Sequence, residues 1–100
     1  MATNTKKRQN KKSAKLGEYT VLNPYEFENG DIRFNLRLDE MGVTFYGLRV
    51  VAYKKGDFIS FPQRKVKTDD GDTYYNHFYI NFSDEQQEEI IEAVRDALED

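Results

Sequence analysis

Three arginines on predicted strands are the residues of this sequence whose type and spacing could do chemistry. Arg33 and Arg37 alternate with apolar residues in one strand, and Arg49 lies in the next. Cations and aromatic rings that share an open sheet face can follow a phosphate backbone and stack on bases. An ordinary solvated sheet face is the alternative, because strand pairing could distribute these residues over both faces. The rings that could take part belong to Tyr46, Tyr75 and Tyr79.

A second basic group follows a short predicted strand that Pro62 ends. Arg64, Lys65 and Lys67 stand within four residues of one another in a segment that we predict to be a flexible loop. Arginine can bind two phosphate oxygens at once, whereas lysine acts as a point charge. The segment therefore predicts a finger that reaches phosphates, and a loop that only keeps the protein soluble is the alternative.

The sequence offers no catalytic or metal-binding pattern. It has no cysteine and one histidine, which excludes a disulfide framework, a thiolate nucleophile and a cysteine-ligated zinc site. His77 stands among aromatic residues of a predicted strand, where a structural or stacking role is expected. The aspartates around Asp70-Gly71 lack the ligand spacing of an EF-hand and indicate a hairpin turn. We predict no enzyme activity, no cofactor, no metal and no small-molecule substrate.

Charge and length divide the chain into a tail and one domain. The chain has 100 residues, and residues 1–15 carry six lysines or arginines, no acid and almost nothing apolar. Such a segment cannot bury enough surface to become ordered, so we predict a disordered tail over 1–15 and a single domain over 16–100. The tail resembles a nucleic-acid-binding arm, and a solubilising tail is the alternative. No apolar run of bilayer length and no signal peptide are evident, which predicts a cytoplasmic protein without membrane contact.

The hydrophobic pattern predicts an α+β domain, an antiparallel β-meander of four to five strands followed by one helix. Strands are expected at 19–27, 32–38, 43–53, 58–61 and 74–82, with 63–72 as the flexible loop. The first is interrupted by Asn23-Pro24 and is therefore expected to be an edge strand or two short pieces. Gly47 indicates a bulge or bend in the third. Turns are expected at 29–30, 39–42 and 54–57.

The C-terminal segment carries the signals of an amphipathic helix. Ser83 and Gln86 have the spacing of a capping box. An apolar stripe at helical spacing, with acids on the other side, consists of Ile90, Ile91, Val94 and Leu98. One helix is too small to cover the whole sheet, so we predict a homodimer that buries the remaining apolar surface.

From Leu36 onward the order of motifs resembles the SpoVG family of small bacterial regulators. The matching segments are 38–40, 47–51, 56–58, 61–65, the turn at 70–71, 77–81 and the helix with Ile90, Ile91 and Val94, about two thirds of the chain. The resemblance implies a β-rich, dimeric, cytoplasmic protein that binds nucleic acid. The basic tail, Phe78-Tyr79 in place of an expected proline and the acidic helix depart from the family pattern. A likeness to single-stranded-DNA-binding coactivator folds rests on topology alone.

These observations together predict a small regulatory protein that binds nucleic acid, DNA rather than RNA, with single-stranded DNA as one candidate form. The candidate site consists of Arg33, Arg37, Tyr46, Arg49, Arg64, Lys65, Lys67 and Tyr75. The alternative is a protein-interaction module of a phage or mobile element, which would dock a basic partner on its acidic helix. The acids of that helix are Glu85, Glu88, Glu89, Glu92 and Asp96.

Overall fold

The computed structural model describes residues 17–99, and the tail predicted for 1–15 lies outside this range. Six strands are followed by one helix, which confirms the α+β class. The elements are β1 (Tyr19–Glu26), β2 (Ile32–Leu38), β3 (Val43–Val51), β4 (Phe58–Ser60), β5 (Gln63–Thr68), β6 (Gly71–Asn76) and α1 (Asp84–Glu99). Strands β1 to β4 form an antiparallel sheet in sequence order, and β5 and β6 form a separate two-stranded sheet.

Strand β2 divides the four-stranded sheet into a buried and an open face. Its apolar residues, from Ile32 to Leu38, are buried at every second position. The side chains between them lie on the opposite face, because successive residues of a strand point to opposite sides. Arg33 and Arg37 are exposed there, and Asn35 is half-buried. The alternation in the sequence therefore predicts both faces of this strand correctly.

Two irregularities flank the centre of β2, one in each neighbouring strand. In β1 the register shifts between Leu22 and Tyr25, where Asn23 has a positive φ of 52° and is followed by proline. In β3 the register shifts opposite Asn35, and Gly47 has a φ of 83°. A bulge turns the strand locally and re-aims its side chains. The predicted interruption of β1 and the predicted bulge in β3 are both confirmed.

Helix α1 covers the buried face of the sheet. Ser83 begins the helix through a reciprocal capping box, in which its Oγ accepts the Gln86 amide at 3.1 Å and its own amide donates to Gln86 Oε1 at 3.2 Å. Of the predicted apolar stripe, Ile90, Ile91 and Val94 are buried and Leu98 is half-buried. It packs against a core whose strand members are Ile32, Phe34, Leu36, Leu38, Leu48, Val50, Ile59 and Phe61.

The segment after Pro62 differs from the sequence prediction. Residues 63–68 form a strand and not a flexible loop, and they pair with β6 across a tight turn at Asp69-Asp70. The last strand therefore lies at 71–76, earlier than the expected 74–82, and His77 falls just beyond it. Both strands of this hairpin are exposed on both faces except at Val66 and Thr73. Without a buried face the hairpin has no apolar alternation, so periodicity could not reveal it.

Residues 77–83 have no regular structure and close the core between the hairpin and α1. The rings of Phe78 and Phe82 lie 5.6 and 6.0 Å from Phe61, and Tyr79 packs edge-on at 5.0 Å. At the base of the hairpin the His77 amide donates to the Pro62 carbonyl at 2.8 Å. Within residues 17–99 no helix is long and apolar enough to cross a membrane.

Candidate nucleic-acid interface

The open face of the sheet brings together the three arginines that the sequence singled out. Arg33 lies between Tyr25 on β1 and Arg49 on β3 in one cross-strand row. Arg37 lies between Thr20 and Thr44 in a second row. Directly opposed residues of an antiparallel pair share a face, so these rows form one surface. We call this surface, with Tyr46 in the bulge of β3, the open face.

Arg49 is held in place by two contacts at the edge of the open face. Its Nη1 lies 3.5 Å from Oδ2 of Asp31, and its guanidinium carbon lies 4.4 Å from the centre of the Phe27 ring. Such a cation over a ring face is attracted by the ring quadrupole. Asp31 is itself buried and accepts the amide of Ala52 at 2.9 Å. Arg49 therefore contributes to the structure and has only part of its charge free for a ligand.

Arg37 is also engaged by a carboxylate. Its Nε donates to Asp39 Oδ1 at 2.9 Å, and Thr20 donates its hydroxyl to the same carboxylate at 3.0 Å. The hydrogen bond from Arg37, and then that from Thr20, lower the pKa of the Asp39 carboxyl below its ordinary value. The pair is largely exposed, so water and salt screen it and a competing phosphate could replace Asp39.

Arg33 is the member of the row that keeps its full charge available. Among residues 17–99 no carboxylate lies within ion-pair distance of its guanidinium. It lines a cavity of about 330 Å³ on the open face together with Asn23, Asn35, Tyr46 and Gly47. Tyr46 is 67% exposed, so its ring can receive a planar ligand. This corner of the open face has the cation and the ring that the sequence predicted.

The hairpin separates the remaining predicted residues onto two faces. Arg64 is paired with Tyr75 on one face, and Lys65 is paired with Tyr74 on the other. Lys67 is opposite Asp72, whose carboxylate also lies 3.4 Å from Nζ of Lys65. Tyr75 therefore accompanies Arg64 and does not belong to the open face.

The tip of the hairpin is acidic. Asp69, Asp70 and Asp72 surround the turn, and together they match the positive charge of Arg64, Lys65 and Lys67. Like charges repel, so the tip would keep a phosphate away, whereas the base of the hairpin around Arg64 would accept one. The base also adjoins the open face, because the Pro62 ring lies beside Gly47 in the bulge of β3.

Helix α1 places a group of acidic side chains on the other side of the sheet. The helix packs on the buried face, and its acids are exposed on its outer side. These acids are Asp84, Glu85, Glu88, Glu89, Glu92, Asp96 and Glu99. An acidic surface therefore lies opposite the arginines of the open face, of which Arg37 and Arg49 are themselves paired with carboxylates.

Sequence reasoning missed three residues of this region. Asn35 stands between Arg33 and Arg37, and the same alternation that placed the arginines also places it on the open face. Tyr25 could have been found by extending the pairing outward from the turn at Asn29-Gly30. Asn23 had no such signal, because its position depends on the register shift beside Pro24.

In the part of the chain that the structure describes, no three side chains are grouped as metal ligands would be. Comparisons of the chain with protein families, with curated proteins and with solved structures gave no match. The resemblance to the SpoVG family stays a hypothesis.

Proposed function

We propose that this protein binds nucleic acid, with single-stranded DNA as its preferred form, through the open face and the base of the hairpin. The observation that carries the proposal is the separation of charge across the sheet, with arginines on the open face and acids on the helix behind it. A field of this kind orients a polyanion toward one side of a small protein. Exposed rings beside the cations favour an unpaired strand, because bases within a duplex cannot stack on them.

The salt dependence of binding shows how many cations contact phosphates. For single strands, log K falls with log salt at a slope of about −0.7 for each phosphate contact. If only Arg33 and Arg64 reach phosphates, the slope is about −1.4, and if all six proposed cations do, it is about −4. The slope therefore measures how many of the cations paired with carboxylates, such as Arg37, Arg49 and Lys65, exchange that carboxylate for a phosphate on binding.

The test is fluorescence anisotropy with labelled single-stranded DNA, double-stranded DNA and RNA over a series of salt concentrations. In a first variant, the six cations of residues 1–15 are replaced by Gln. This change removes the charge of the tail and keeps its length. Arg33→Gln combined with Arg64→Gln should then weaken binding severalfold. The matched control is Arg95→Gln, since Arg95 pairs with Asp57 at the helix and lies away from the open face. Equal affinities for the control and the double variant would contradict the proposal.

The proposal includes a regulatory, SpoVG-like role in the cytoplasm as a homodimer. A cysteine-free sequence suits a reducing compartment. The half-exposed rings of Tyr53 and Phe58, whose centroids lie 6.2 Å apart, offer surface for a second copy. Light scattering at two protein concentrations measures the mass directly, and a mass of one chain at both would remove the dimer from the proposal.

A protein-interaction module is the second candidate, favoured by the uninterrupted row of exposed acids along α1. Such a surface is complementary to a basic partner. Replacement of Glu85, Glu88 and Glu92 by Gln should abolish capture of that partner and leave nucleic-acid binding intact. If no nucleic acid binds to the full chain under any salt condition, this candidate takes precedence.

A further inference from the structure

The centre of the open face contains a cavity whose shape depends on both strand irregularities. Asn23, with its positive φ, borders it from β1, and the Tyr46-Gly47 bulge borders it from β3. Residues other than glycine rarely adopt a positive φ, and such conformations concentrate at functional sites. Asn35 of β2 forms the floor between them. We call this cavity the notch.

Asn35 has a defined orientation in the notch. Its Oδ1 accepts the Gly47 amide at 3.0 Å, which identifies the carbonyl end of the side chain. The Nδ2 donors are then directed away from that contact, and no acceptor for them is found among residues 17–99. The side chain is half-buried, so a ligand that offered an acceptor here would satisfy a donor that is partly shielded from water.

The notch combines three kinds of contact within about 330 Å³, a volume at the lower end of the range for small-ligand sites. Tyr46 supplies an exposed ring, Asn23 and Asn35 supply amides, and Arg33 supplies a cation without a carboxylate partner in residues 17–99. A planar heterocycle with hydrogen-bonding edges and a nearby phosphate matches all three. A bare anion would use only Arg33.

We propose that the notch binds one unstacked nucleobase with its phosphate. In this arrangement the base stacks on Tyr46, its polar edge meets the amides of Asn23 and Asn35, and Arg33 binds the phosphate. The inference rests on the proposed function, because it assigns one subsite of that nucleic-acid interface. The same chemistry is offered by a base within a strand and by a free nucleotide, so the experiment must separate the two.

The experiment follows backbone amide shifts of the full chain by NMR during titration with the four deoxynucleoside monophosphates, with inorganic phosphate and with a short oligonucleotide. The amide of Gly47 reports on the notch, since it donates a hydrogen bond to Asn35 Oδ1. The oligonucleotide and the monophosphates should both shift it, and inorganic phosphate should not. An equal response to inorganic phosphate would reduce the notch to an anion site and overturn the assignment.

Variants then test each contact in the strand-binding assay. Tyr46→Leu should weaken binding roughly 5- to 150-fold, the range expected for loss of one base-stacking ring. Tyr46→Phe keeps the ring and should bind as the original chain does. Tyr74→Leu removes another exposed ring, on the face of the hairpin opposite Arg64, and serves as the control. Asn35→Asp keeps an acceptor for Gly47, loses the donors and adds a carboxylate beside Arg33, and both changes should weaken binding while the fold is retained.

The outcomes separate the notch from the proposed function. If the chain binds single-stranded DNA and the Tyr46 and Asn35 variants bind equally well, the notch is refuted and the proposed function stands. If no oligonucleotide binds but monophosphates shift Gly47, the notch is a free-nucleotide site and strand binding is refuted. If neither ligand changes the Gly47 amide, the notch is refuted, and the proposed function falls with it only when no amide of the chain responds to the oligonucleotide.

Discussion

Replacing Asp31 by alanine should destabilise this protein more than replacement of any exposed acid. Asp31 is 8% exposed and follows the turn between β1 and β2. Its carboxylate accepts the Ala52 amide at 2.9 Å, just beyond the end of β3, and is approached by Arg49 at 3.5 Å. The residue therefore joins the β1–β2 turn to the end of β3. Its loss also removes the partner that holds Arg49 over Phe27.

The expected magnitude follows from these contacts. A hydrogen bond to a charged group contributes about 1.5–3 kcal/mol, and the Ala52 amide would be left without its acceptor. The Arg49 pair adds little, at most about 1 kcal/mol, because the arginine side chain is 42% exposed. Asp31→Ala should thus lower the free energy of unfolding by about 2–3 kcal/mol. For a domain of this size the corresponding fall in Tm is about 10–20 °C.

Urea unfolding followed by far-UV circular dichroism measures this difference. Asp31→Asn is the informative companion, since its amide oxygen still accepts from Ala52 and only the charge is lost. It should cost about 1 kcal/mol, clearly less than alanine. Glu92→Ala, an exposed acid of α1, provides the control. If Asp31→Ala matched that control, the turn would not depend on the carboxylate and the reasoning would be refuted.

Three further predictions follow from local geometry. Gly47→Ala should cost about 1–2 kcal/mol in urea unfolding, because φ is 83° while the added Cβ has room beside Pro62; an unchanged stability would contradict the left-handed bulge. Ser83→Ala should cost about 1 kcal/mol in the same assay by removing the N-cap, and Ser83→Asp should restore most of it. An NMR titration should show the Asp39 carboxyl with a pKa below its ordinary value, and Arg37→Gln should raise it. Since the folded state lowers this pKa, the stabilisation is present above about pH 4 and is lost as the pH falls further.

Much of the main sheet could be predicted from the sequence, because its signals are local. The alternation from Ile32 to Leu38 assigns the two faces of β2 correctly, since one face is buried. The Ser83 and Gln86 side chains form the predicted capping box, which involves only neighbouring residues. The turn at Asn29-Gly30 and the bulge at Gly47 also depend on backbone preferences of single residues.

The hairpin after Pro62 could not be predicted from local sequence patterns. Its strands bury almost nothing, so their residues follow no hydrophobic period and resemble a loop. Arg64 pairs with Tyr75, and Lys67 pairs with Asp72. These are contacts between two segments, so neither segment alone carries a sequence pattern that predicts them. The acidic turn at the tip was visible, but its effect on the neighbouring cations was not.

The sequence by itself determined that Arg33 and Arg37 would lie on the exposed side of β2 and that acids would collect on a terminal helix, because charge and period are properties of short segments. Only the tertiary structure decided which cations stay available to a ligand. Asp31 and Asp39 reach Arg49 and Arg37 through turns, whereas Arg33 meets no carboxylate within residues 17–99. The notch beside Arg33 exists because two register shifts flank one residue of β2, and strand pairing alone brings them together.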